Sequence, residues 1–446
     1  MENDDLKVVI AAGGRFHAIR LAQELHTRQA LYRLVSGSYT KADQPSDFAK
    51  ASSDRSLPPH LVASITSCQV IDQIIWRTRL TSFIRPSTLY VIKDAWFDKR
   101  LHKIINQLEP FDIFTGWANY FFDSLPAIRE KAKIVIVESG SCHIEEHERL
   151  IVEECAKLNL PVNHLDDANR HKIMQEYAAS DYIMTPSTFA RKSFLRKGFA
   201  AEKVLLIPCG MDVEFFGNPN QEMRSRVKRG MTKTSDVQTC HPGLRAGISE
   251  LPTFRLLFVG QLQIGKGIHI LLDAWRELKL SPTKTELLLV GNLQRDARLY
   301  LQQHPPPPGV RIIPGVSRED LKKLYASSNA FVLPSIQDGF GMVMGEAMAS
   351  GLPVIASTNT GGPDIITHGK NGLLVPAGNV EALAQTILQL YQNPALCEDL
   401  AINGMQRIQD FTWQRYGDET LSTYKKLLEL HEANKAPSPS SRQIQL

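Results

Sequence analysis

The chain has 446 residues, of which 43% are hydrophobic and 22% charged, the composition of an ordinary soluble globular protein. That length exceeds what one hydrophobic core usually organises, so it predicts two domains. The 51 basic and 47 acidic residues leave a formal charge of +4, too small to predict nucleic acid as a partner. No apolar run reaches the roughly 20 residues that cross a bilayer.

The N-terminus and the cysteines bear on the compartment. The acidic start, MENDDLK, runs directly into a strand pattern, so we expect no signal peptide. The six cysteines are scattered without CxxC pairs, which predicts neither a zinc cluster nor a disulfide framework. A reducing cytoplasm is therefore the expected compartment.

Short apolar runs alternate with amphipathic stretches, the pattern of parallel sheets wrapped by helices. In the first half the predicted strands are Val8–Ala11, Leu31–Val35, Asp112–Thr115, Ile134–Val137, Tyr182–Met184 and Val204–Ile207. The first strand runs into Gly13-Gly14, whose spacing is not the GxGxxG fingerprint of dinucleotide-binding domains. Arg15 and His17 follow this turn and are either cleft residues or residues of a helix surface.

A basic, aromatic stretch follows at Trp76–Lys103, with seven Lys or Arg residues and two acidic residues. Such a surface can lie on anionic lipid, so peripheral membrane contact through residues 76–103 is one interpretation. A solvated basic face explains the same composition, and the pattern leaves both open.

Residues 217–252 interrupt the alternation with Pro, Gly, Ser, Thr and a basic burst, which predicts a linker with an insertion. Beyond it, the predicted strands are Leu256–Val259, Glu286–Val290, Val310–Ile313, Ala330–Leu333 and Pro353–Ala356. Both halves are therefore predicted to be separate doubly wound units. The last residues, APSPSSRQIQL, are low in complexity and predict disorder.

A glycine-rich turn, GQLQIGKG at residues 260–267, connects the first strand of the second half to a helical pattern. Backbone amides at such a turn lie at the carboxyl edge of a parallel sheet, where ligands bind. Lys266 sits at the helix start, where a cation is unfavourable unless an anion joins it. We therefore predict that Lys266 contacts a phosphate, with a solvated surface lysine as the alternative.

The most informative stretch, LPSIQDGFGMVMGEAMASGLPVIAS, begins at Leu333. Asp338 lies on a polar turn and Glu346 follows on a helix. Gly339 and Gly341 let ligand atoms approach the backbone where the first helical amides are unpaired, a site for an anion such as a diphosphate. Glu346 can then accept the hydroxyls of a ribose, and Asp338 can accept hydroxyls of a sugar.

The ordered set PS, DGFG, EAMASG and PVIAS resembles the donor-site signature of retaining glycosyltransferases with the GT-B fold, usually called family 4 or glycosyl transferases group 1. The segments Asn359–Asn379 and Phe411–Leu430 are similar to the family's TGGxxExxxxGxNGLLVPxxD segment and its closing FxWxxYG helix. The resemblance is strong across about Leu256–Leu430, moderate over Tyr177–Phe216 and weak at the N-terminus.

The resemblance implies an α/β GT-B fold, in which two Rossmann-like doubly wound domains face a deep interdomain cleft. It implies an acceptor-binding domain at residues 1–216, a basic linker at 217–252 and a nucleotide-sugar donor-binding domain at 253–411. A helix at 412–430 would cross back to the first domain, and 431–446 would be a disordered tail.

The implied reaction moves a sugar from a nucleotide-diphosphate sugar to a glycan, lipid or small-molecule acceptor, with retention of anomeric configuration. Asp338, Lys266 and His143 are the candidate catalytic residues, His143 because the family has a histidine on the transferred sugar at this place. A histidine that only caps the next helix is the alternative. The candidate donor-binding residues are Gly14, Gln261, Lys266, Val316, Asp338, Gly339, Phe340, Gly341, Met342, Val343 and Glu346. Because no DxD motif occurs in the chain, we expect no metal, and no cofactor besides the donor substrate.

The chain departs from the family pattern at three polar positions. Gln261 stands where an arginine usually holds the diphosphate, and Asp338 and Asp364 stand where glutamate is common. Gln261 and Asp338 keep open a non-catalytic sugar-nucleotide binder, and another enzyme on the same fold, such as an epimerase or a phosphorylase, is also open. Gly361 and Gly362 either bring backbone amides near the ligand or form a simple turn.

Overall fold

The computed structural model describes residues 6–14, 17–39, 57–68, 86–162, 167–217 and 254–435. Arg15, most of the predicted linker, the basic stretch up to residue 85 and the tail from residue 436 lie outside these ranges. Two parallel sheets organise the described chain, one on each side of the linker.

The first sheet has seven parallel strands in the order β3-β2-β1-β4-β5-β6-β7. The strands are β1 Val8–Ala12, β2 Leu31–Ser36, β3 Val62–Ser64, β4 Phe111–Trp117, β5 Ala132–Glu138, β6 Tyr182–Thr185 and β7 Val204–Leu206. Its helices are α1 Ala18–Thr27, α2 Pro86–Asn106, α3 Leu125–Lys131, α4 Ile144–Lys157, α5 Asp167–Ala179 and α6 Thr188–Arg196. Strand β1, VVIAA, is buried at every residue, as expected of a central strand covered on both faces.

The second sheet has six parallel strands in the order β10-β9-β8-β11-β12-β13. The strands are β8 Phe254–Val259, β9 Thr285–Val290, β10 Val310–Ile313, β11 Ala330–Leu333, β12 Val354–Ser357 and β13 Leu373–Val375. The short helix α7 Val213–Phe216 precedes it, and its own helices are α8 Ile268–Leu278, α9 Arg295–Gln303, α10 Arg318–Ala326, α11 Met342–Ala349, α12 Gly362–Ile365, α13 Val380–Gln392 and α14 Pro394–Ile408.

The predicted pair of doubly wound units is confirmed, and each sheet has its own hydrophobic core. Every predicted strand is present with small shifts at its ends, whereas β3 and β13 were not predicted. In both sheets the strand order reverses beside the first strand of the unit, between β1 and β4 and between β8 and β11. Such a reversal opens a crevice at the carboxyl ends of the strands, which is where doubly wound folds bind ligands.

The last helix, α15 (Trp413–Lys435), returns to the first domain. Its Tyr424 hydroxyl lies 2.7 Å from the hydroxyl of Thr115 on β4, in the buried core of that domain. Because α15 continues to Lys435, residues 431–435 are helical, and their assignment to a disordered tail was wrong. No helix among the described residues is long and apolar enough to cross a membrane.

Candidate functional site

A cavity of about 350 Å³ lies where the carboxyl ends of the two sheets face each other. Its described lining residues are His17, Gly140, Pro186, Cys209, Val259, Gly260, Gln261, Lys266, Leu333, Asp338, Phe340, Gly341, Met342 and Val343. Seven of the predicted site residues are thus brought together on one wall, and all seven belong to the second domain. Gly14, His143, Val316, Gly339 and Glu346 are not on that wall.

Two glycines shape the wall by adopting left-handed backbone conformations. Gly267 (φ 71°) ends the turn that carries Lys266, and a Cβ there would lie 2.0 Å from the carbonyl oxygen of Pro334. Gly341 (φ 81°) precedes helix α11. Both positions therefore require glycine. The missing side chain at Gly267 also lets the turn after β8 lie against Pro334 in the turn after β11.

Lys266 and Asp338 form an ion pair on this wall. The Lys266 Nζ lies 2.5 Å from Asp338 Oδ2, and both side chains are about one fifth exposed. The sequence predicted an unbalanced cation at the helix start, whereas the structure balances it with the Asp338 carboxylate. An anion that binds here would compete with this carboxylate for the ammonium group.

The first turn of α11 completes the wall with Gly341, Met342 and Val343. The first amides of a helix have no acceptor within the helix, and the positive end of the helix dipole favours negative charge. Lys266 beside this turn makes the wall suited to an anion.

Glu346 lies one turn further along α11 and is half-buried. The Tyr325 hydroxyl donates a 3.0 Å hydrogen bond to its Oε2. Burial raises the pKa of Glu346 to about 7, although the Tyr325 hydroxyl and the nearby Arg318 oppose the shift. The carboxylate therefore changes charge near neutral pH, which an exposed glutamate does not.

Two other predicted donor residues lie beside the cavity wall rather than on it. Gly339 meets the first domain, because a Cβ there would lie 1.9 Å from the carbonyl oxygen of Gly140. Val316 is half-buried after β10 and packs against the core of the second domain. The neighbouring Gly315 amide donates to Asn292 Oδ1 at 3.4 Å, a side chain that the sequence interpretation did not name.

His143 does not reach the cavity, so the structure does not bear out a direct contact between it and a sugar bound there. Its side chain is fully buried, and its ring packs 5.1 to 5.8 Å from the rings of Tyr177, Phe194 and Phe199. It caps helix α4, since its Nδ1 accepts the amide of Glu145 at 3.3 Å. Burial lowers its pKa to about 4, so the ring is neutral at ordinary pH. The capping alternative describes His143 in this structure.

Gly14 is likewise set back from the cavity. Its carbonyl oxygen accepts a 3.0 Å hydrogen bond from the Ser38 hydroxyl, and the residue is half-buried. The adjoining Gly13 packs against the ring of Tyr120, where a Cβ would lie 2.2 Å from the ring. These contacts give the double glycine a packing role beside the cavity.

His17 is the histidine on the cavity wall, and the sequence had left it undecided. Its Nε2 lies 3.1 Å from Oε1 of the buried Glu138, the last residue of β5. Its ring packs 5.2 Å from Trp117, 6.4 Å from Trp413 and 5.8 Å from Tyr416. The signal that could have found it is its position directly after a glycine turn at the end of β1.

Gln337 joins the domains beside the cavity and was also missed. Its Oε1 accepts a 3.0 Å hydrogen bond from Ser141, and His147 hydrogen-bonds to its side chain. Burial lowers the pKa of His147. With the contact between Gly339 and Gly140, these bonds hold the loop after β5 against the loop after β11.

Asp364 forms a second connection between the domains. Its carboxylate accepts hydrogen bonds from the backbone amide and the hydroxyl of Thr188, the first residue of α6. The amides of Gly361 and Gly362 are used internally, by the Phe340 carbonyl and the Thr360 hydroxyl. The structure thus favours a turn over ligand binding at these two glycines.

No group of three or more His, Cys, Asp or Glu side chains within the described ranges is arranged to hold a metal ion.

Comparison with known proteins agrees with this geometry. Residues 249–407 match the family described as "Glycosyl transferases group 1", so the second half carries such a domain. The capsular polysaccharide biosynthesis glycosyltransferase CapM of Staphylococcus aureus is 32% identical over 186 residues, which cover 40% of this chain and 48% of CapM. O-antigen chain mannosyltransferase B of Escherichia coli is 31% identical over 175 residues, covering 38% and 45%. The chain thus spans about half the length of these curated relatives.

Solved structures match nearly the whole chain. Sucrose-phosphate synthase from Thermosynechococcus elongatus has a TM-score of 0.61 at 19% identity, covering 95% of this chain and all of that one (100%). HepE of Anabaena, in complex with UDP and glucose, has a TM-score of 0.59 at 17% identity, with 94% and 100% covered. At such identity the match shows the fold, which is GT-B with two Rossmann-like domains.

Proposed function

We propose that the protein is a retaining glycosyltransferase that moves a sugar, most simply a hexose, from a nucleotide-diphosphate sugar to a glycan or lipid-linked acceptor. The observation that carries the proposal is the wall of the cavity in the second domain. There Lys266 lies beside the first turn of α11, an arrangement suited to an anion, and Glu346 lies one turn behind it. This order fits a diphosphate followed by a ribose.

Lys266 and the amides of Met342 and Val343 would bind the diphosphate. As the bond to the sugar breaks, negative charge grows on the departing phosphate, and fixed donors around it stabilise the transition state. Gln261, on the same wall, can add neutral hydrogen bonds. We propose that these groups carry the charge of the leaving group without a divalent cation, in keeping with the absence of a DxD motif from the sequence.

Asp338 would change partner when the donor binds. In the structure its carboxylate is 2.5 Å from Lys266 Nζ. A diphosphate carries more charge than one carboxylate and can take over the ammonium group, which frees Asp338 to accept hydroxyls of the donor sugar. We propose that the acceptor hydroxyl attacks from the face of the leaving group and that the departing phosphate oxygen takes its proton. The sugar–phosphate bond breaks as the new glycosidic bond forms.

Glu346 would accept the two ribose hydroxyls of the nucleotide. The Tyr325 hydroxyl already binds one carboxylate oxygen, so the side chain has a fixed orientation. A half-buried carboxylate whose pKa is about 7 gains most from hydroxyl donors, because they replace the water it has lost.

The test is thermal stabilisation by UDP, GDP, ADP and their sugars, in wild type and in Glu346→Ala. A ligand that binds only the native state raises the melting temperature with concentration. We expect one nucleotide to stabilise wild type and to lose that effect in Glu346→Ala. Glu429→Ala, at an exposed position of α15, is the matched control and should bind as wild type does. Binding that is equal in Glu346→Ala and wild type would contradict the proposed site.

A non-catalytic binder of the same ligand is the second candidate, favoured by Gln261 and by the shorter Asp338. The two candidates separate in a turnover assay with the nucleotide sugar that binds. Release of the nucleoside diphosphate, with or without an acceptor, supports the enzyme. Tight binding without any release supports the binder.

We also propose that one face of α2 contacts anionic lipid at the cytoplasmic side of a membrane. The described part of that face exposes Ile92 (57%) and Trp96 (39%), and it carries the exposed Lys99, Arg100 and Lys103. The Arg100 guanidinium lies 4.9 Å from the Trp96 ring centre, so cationic and apolar groups share one surface. Such surfaces bind lipid through buried apolar area and attraction to anionic headgroups.

Sedimentation with vesicles tests this contact. We expect binding to vesicles that contain phosphatidylglycerol, weaker binding to pure phosphatidylcholine, and a loss in Lys99→Glu/Lys103→Glu. The control Lys425→Glu/Lys426→Glu makes the same charge change at exposed positions of α15. If both double variants bind equally, α2 is not the contact.

A further inference from the structure

A histidine–glutamate pair connects the first domain to the cavity. Glu138 is 2% exposed at the end of β5, and its Oε1 is 3.1 Å from Nε2 of His17. Its Oε2 has no hydrogen-bond partner among the described residues. Burial raises the pKa of Glu138, against the effect of the His17 hydrogen bond. Burying a carboxylate with only one hydrogen-bond partner lowers the stability of the fold, so the position of Glu138 beside a cavity indicates a role other than packing.

Aromatic rings fix the orientation of His17. Trp117 meets its ring edge-on from β4, Tyr416 does so from α15, and Trp413 stacks on it. The ring is therefore held by the first domain and the returning helix together. The Cys209 thiol and the Tyr416 and Tyr424 hydroxyls are the other titratable groups close to Glu138, and burial keeps the pKa of each well above its ordinary value.

His17 is the strongest hydrogen-bonding side chain that the described part of the first domain places on the cavity wall. The other lining residues from that domain are Gly140, Pro186 and Cys209. The first two have no polar side-chain group, and a thiol is a weak donor. Among the described residues of this domain, His17 is therefore the side chain best able to hydrogen-bond a ligand in the cavity.

We propose that His17 hydrogen-bonds a sugar hydroxyl at the reacting end of the cavity and that Glu138 is the positioning residue that orients it. Glu138 occupies Nε2, and no hydrogen bond joins Nδ1 to another of the described residues. In either tautomer Nδ1 makes one hydrogen bond, and a hydroxyl can meet it as donor or as acceptor. A phosphate would require a positive charge, which the second domain already supplies through Lys266.

This inference rests on the proposed function, because it assigns the sugar end of the same ligand. The hydroxyl belongs either to the sugar being transferred or to the acceptor, and both present the same chemistry to an imidazole. The donor's nucleoside diphosphate is held by the second domain, so a change at His17 should leave nucleoside diphosphate affinity unchanged.

The experiment compares wild type, His17→Ala and His17→Gln by titration calorimetry and by donor turnover. The probes are the nucleoside diphosphate that binds wild type, chosen among UDP, GDP and ADP, and its commercial sugar forms. The ratio of the two dissociation constants measures what the sugar adds to binding. Turnover is the release of nucleoside diphosphate in water and with a panel of nitrophenyl glycosides.

We expect His17→Ala to keep the affinity for the nucleoside diphosphate and to lose about tenfold in the sugar's contribution or in turnover, the size of one hydrogen bond. A loss in the binding ratio places the hydroxyl on the transferred sugar. An unchanged ratio of dissociation constants with slower turnover places the hydroxyl on the acceptor, or on the water molecule that takes the acceptor's place in hydrolysis. His17→Gln should recover part of the loss, because its amide can still bond a hydroxyl. Glu138→Leu leaves Nε2 of His17 without its partner and should cause a smaller loss of the same kind as His17→Ala.

The matched control is His26→Ala, in the last turn of the same helix α1, and it should behave as wild type. If His17→Ala keeps both quantities within about twofold, the inference is overturned while the donor site stands. If His17→Ala loses affinity for the nucleoside diphosphate as much as for the nucleotide sugar, His17 acts on the nucleotide or on the fold, and the inference is again overturned. If wild type binds no nucleotide at all, the proposed function falls, and this inference falls with it.

Discussion

The two domains present different chemistry to the same cavity. The second domain contributes an amide side chain, a cation, a carboxylate and the start of a helix, through Gln261, Lys266, Asp338 and Met342. The described lining residues of the first are His17, Gly140, Pro186 and Cys209, none of which is an acidic side chain, a lysine or an arginine. From this difference we infer that a bound nucleotide sugar would place its charged end against the second domain and its hydroxyl-rich end against the first.

The largest expected effect comes from removing the cation of the second domain. Lys266→Ala should lower donor turnover about hundredfold or more, since it removes a preorganised charge from the leaving group and leaves Asp338 unpaired. The measurement is release of nucleoside diphosphate at saturating donor. Lys426→Ala, exposed on α15, controls for loss of one lysine. Turnover within about threefold of wild type would remove Lys266 from the mechanism.

His143 and His17 differ in their surroundings, because His143 is enclosed in the core whereas His17 lines the cavity. Burial lowers the pKa of His143 from its ordinary value of 6.5 to about 4 in the folded chain. The unfolded chain therefore binds the proton more strongly, and stability falls as the pH drops from 6.5 towards 4, by up to about 3 kcal/mol. In His143→Asn, which keeps a capping side chain, this part of the acid sensitivity should disappear from urea unfolding curves.

Donor turnover of His143→Asn near neutral pH should stay close to that of wild type. A large loss of turnover with an intact fold would return His143 to the catalytic set.

Gly339 and Gly140 test how closely the two domains must approach. Gly339→Ala places a Cβ 1.9 Å from the Gly140 carbonyl oxygen, so the domains must separate, at a cost of about 1–3 kcal/mol in the free energy of unfolding. Gly140→Ala, directly opposite, meets open space and should leave stability unchanged. Urea denaturation of both variants gives the comparison. Equal stabilities would show that this contact does not hold the domains together.

Glu346 is expected to make donor binding depend on pH. In the proposed site the ribose hydroxyls would bind the ionised carboxylate, and burial raises the pKa of Glu346 in the free protein to about 7. Below pH 7 the proton must leave first, so affinity for a nucleotide sugar should fall about tenfold per pH unit, and above pH 7 it should level off. Glu346→Gln has no such proton and should bind weakly at every pH. Calorimetric titrations between about pH 5.5 and 8.5, on either side of this pKa, measure the difference. A flat wild-type profile would contradict the ribose assignment.

The smallest effect concerns the second connection between the domains. Asp364→Ala removes the acceptor for the Thr188 amide and hydroxyl at the start of α6, a capping contact of about 1 kcal/mol. Because Thr188→Val removes the hydroxyl half of the same contact, the double variant should cost less than the sum of the two. Additive changes in the free energy of unfolding would show that the two side chains act independently.

In the second domain the sequence predicted which residues lie close together, because most of them are near one another in the chain. Asp338, Gly341 and Glu346 lie within one turn and one helix, so residue order alone places them together. Lys266 joins them through the general rule that the ends of parallel strands meet at one edge of a sheet. The short edge strands β3 and β13, with three residues each, escaped prediction because their hydrophobic runs are too brief to carry a period.

The first domain was harder because its decisive contacts are distant in sequence. Both His17 and His143 follow strands, and nothing near either residue says which ring faces the cavity. Three aromatic rings from α5, α6 and the loop after it surround His143, whereas Glu138 reaches His17 across 121 positions. The Lys266–Asp338 ion pair was not predicted, for the same reason. Each residue alone suggested contact with a ligand, and neither suggested the other as its partner.

The most direct test of the whole account is a crystal structure with the nucleotide that stabilises the protein. We predict that the diphosphate lies within hydrogen-bond distance of Lys266 Nζ and of the first amides of α11, with both ribose hydroxyls on Glu346. We also expect Asp338 to have moved away from Lys266, from which it is now separated by 2.5 Å. A nucleotide bound elsewhere, or seated beside an unbroken Lys266–Asp338 pair with its ribose away from Glu346, would contradict the assignment of the second domain as the donor site.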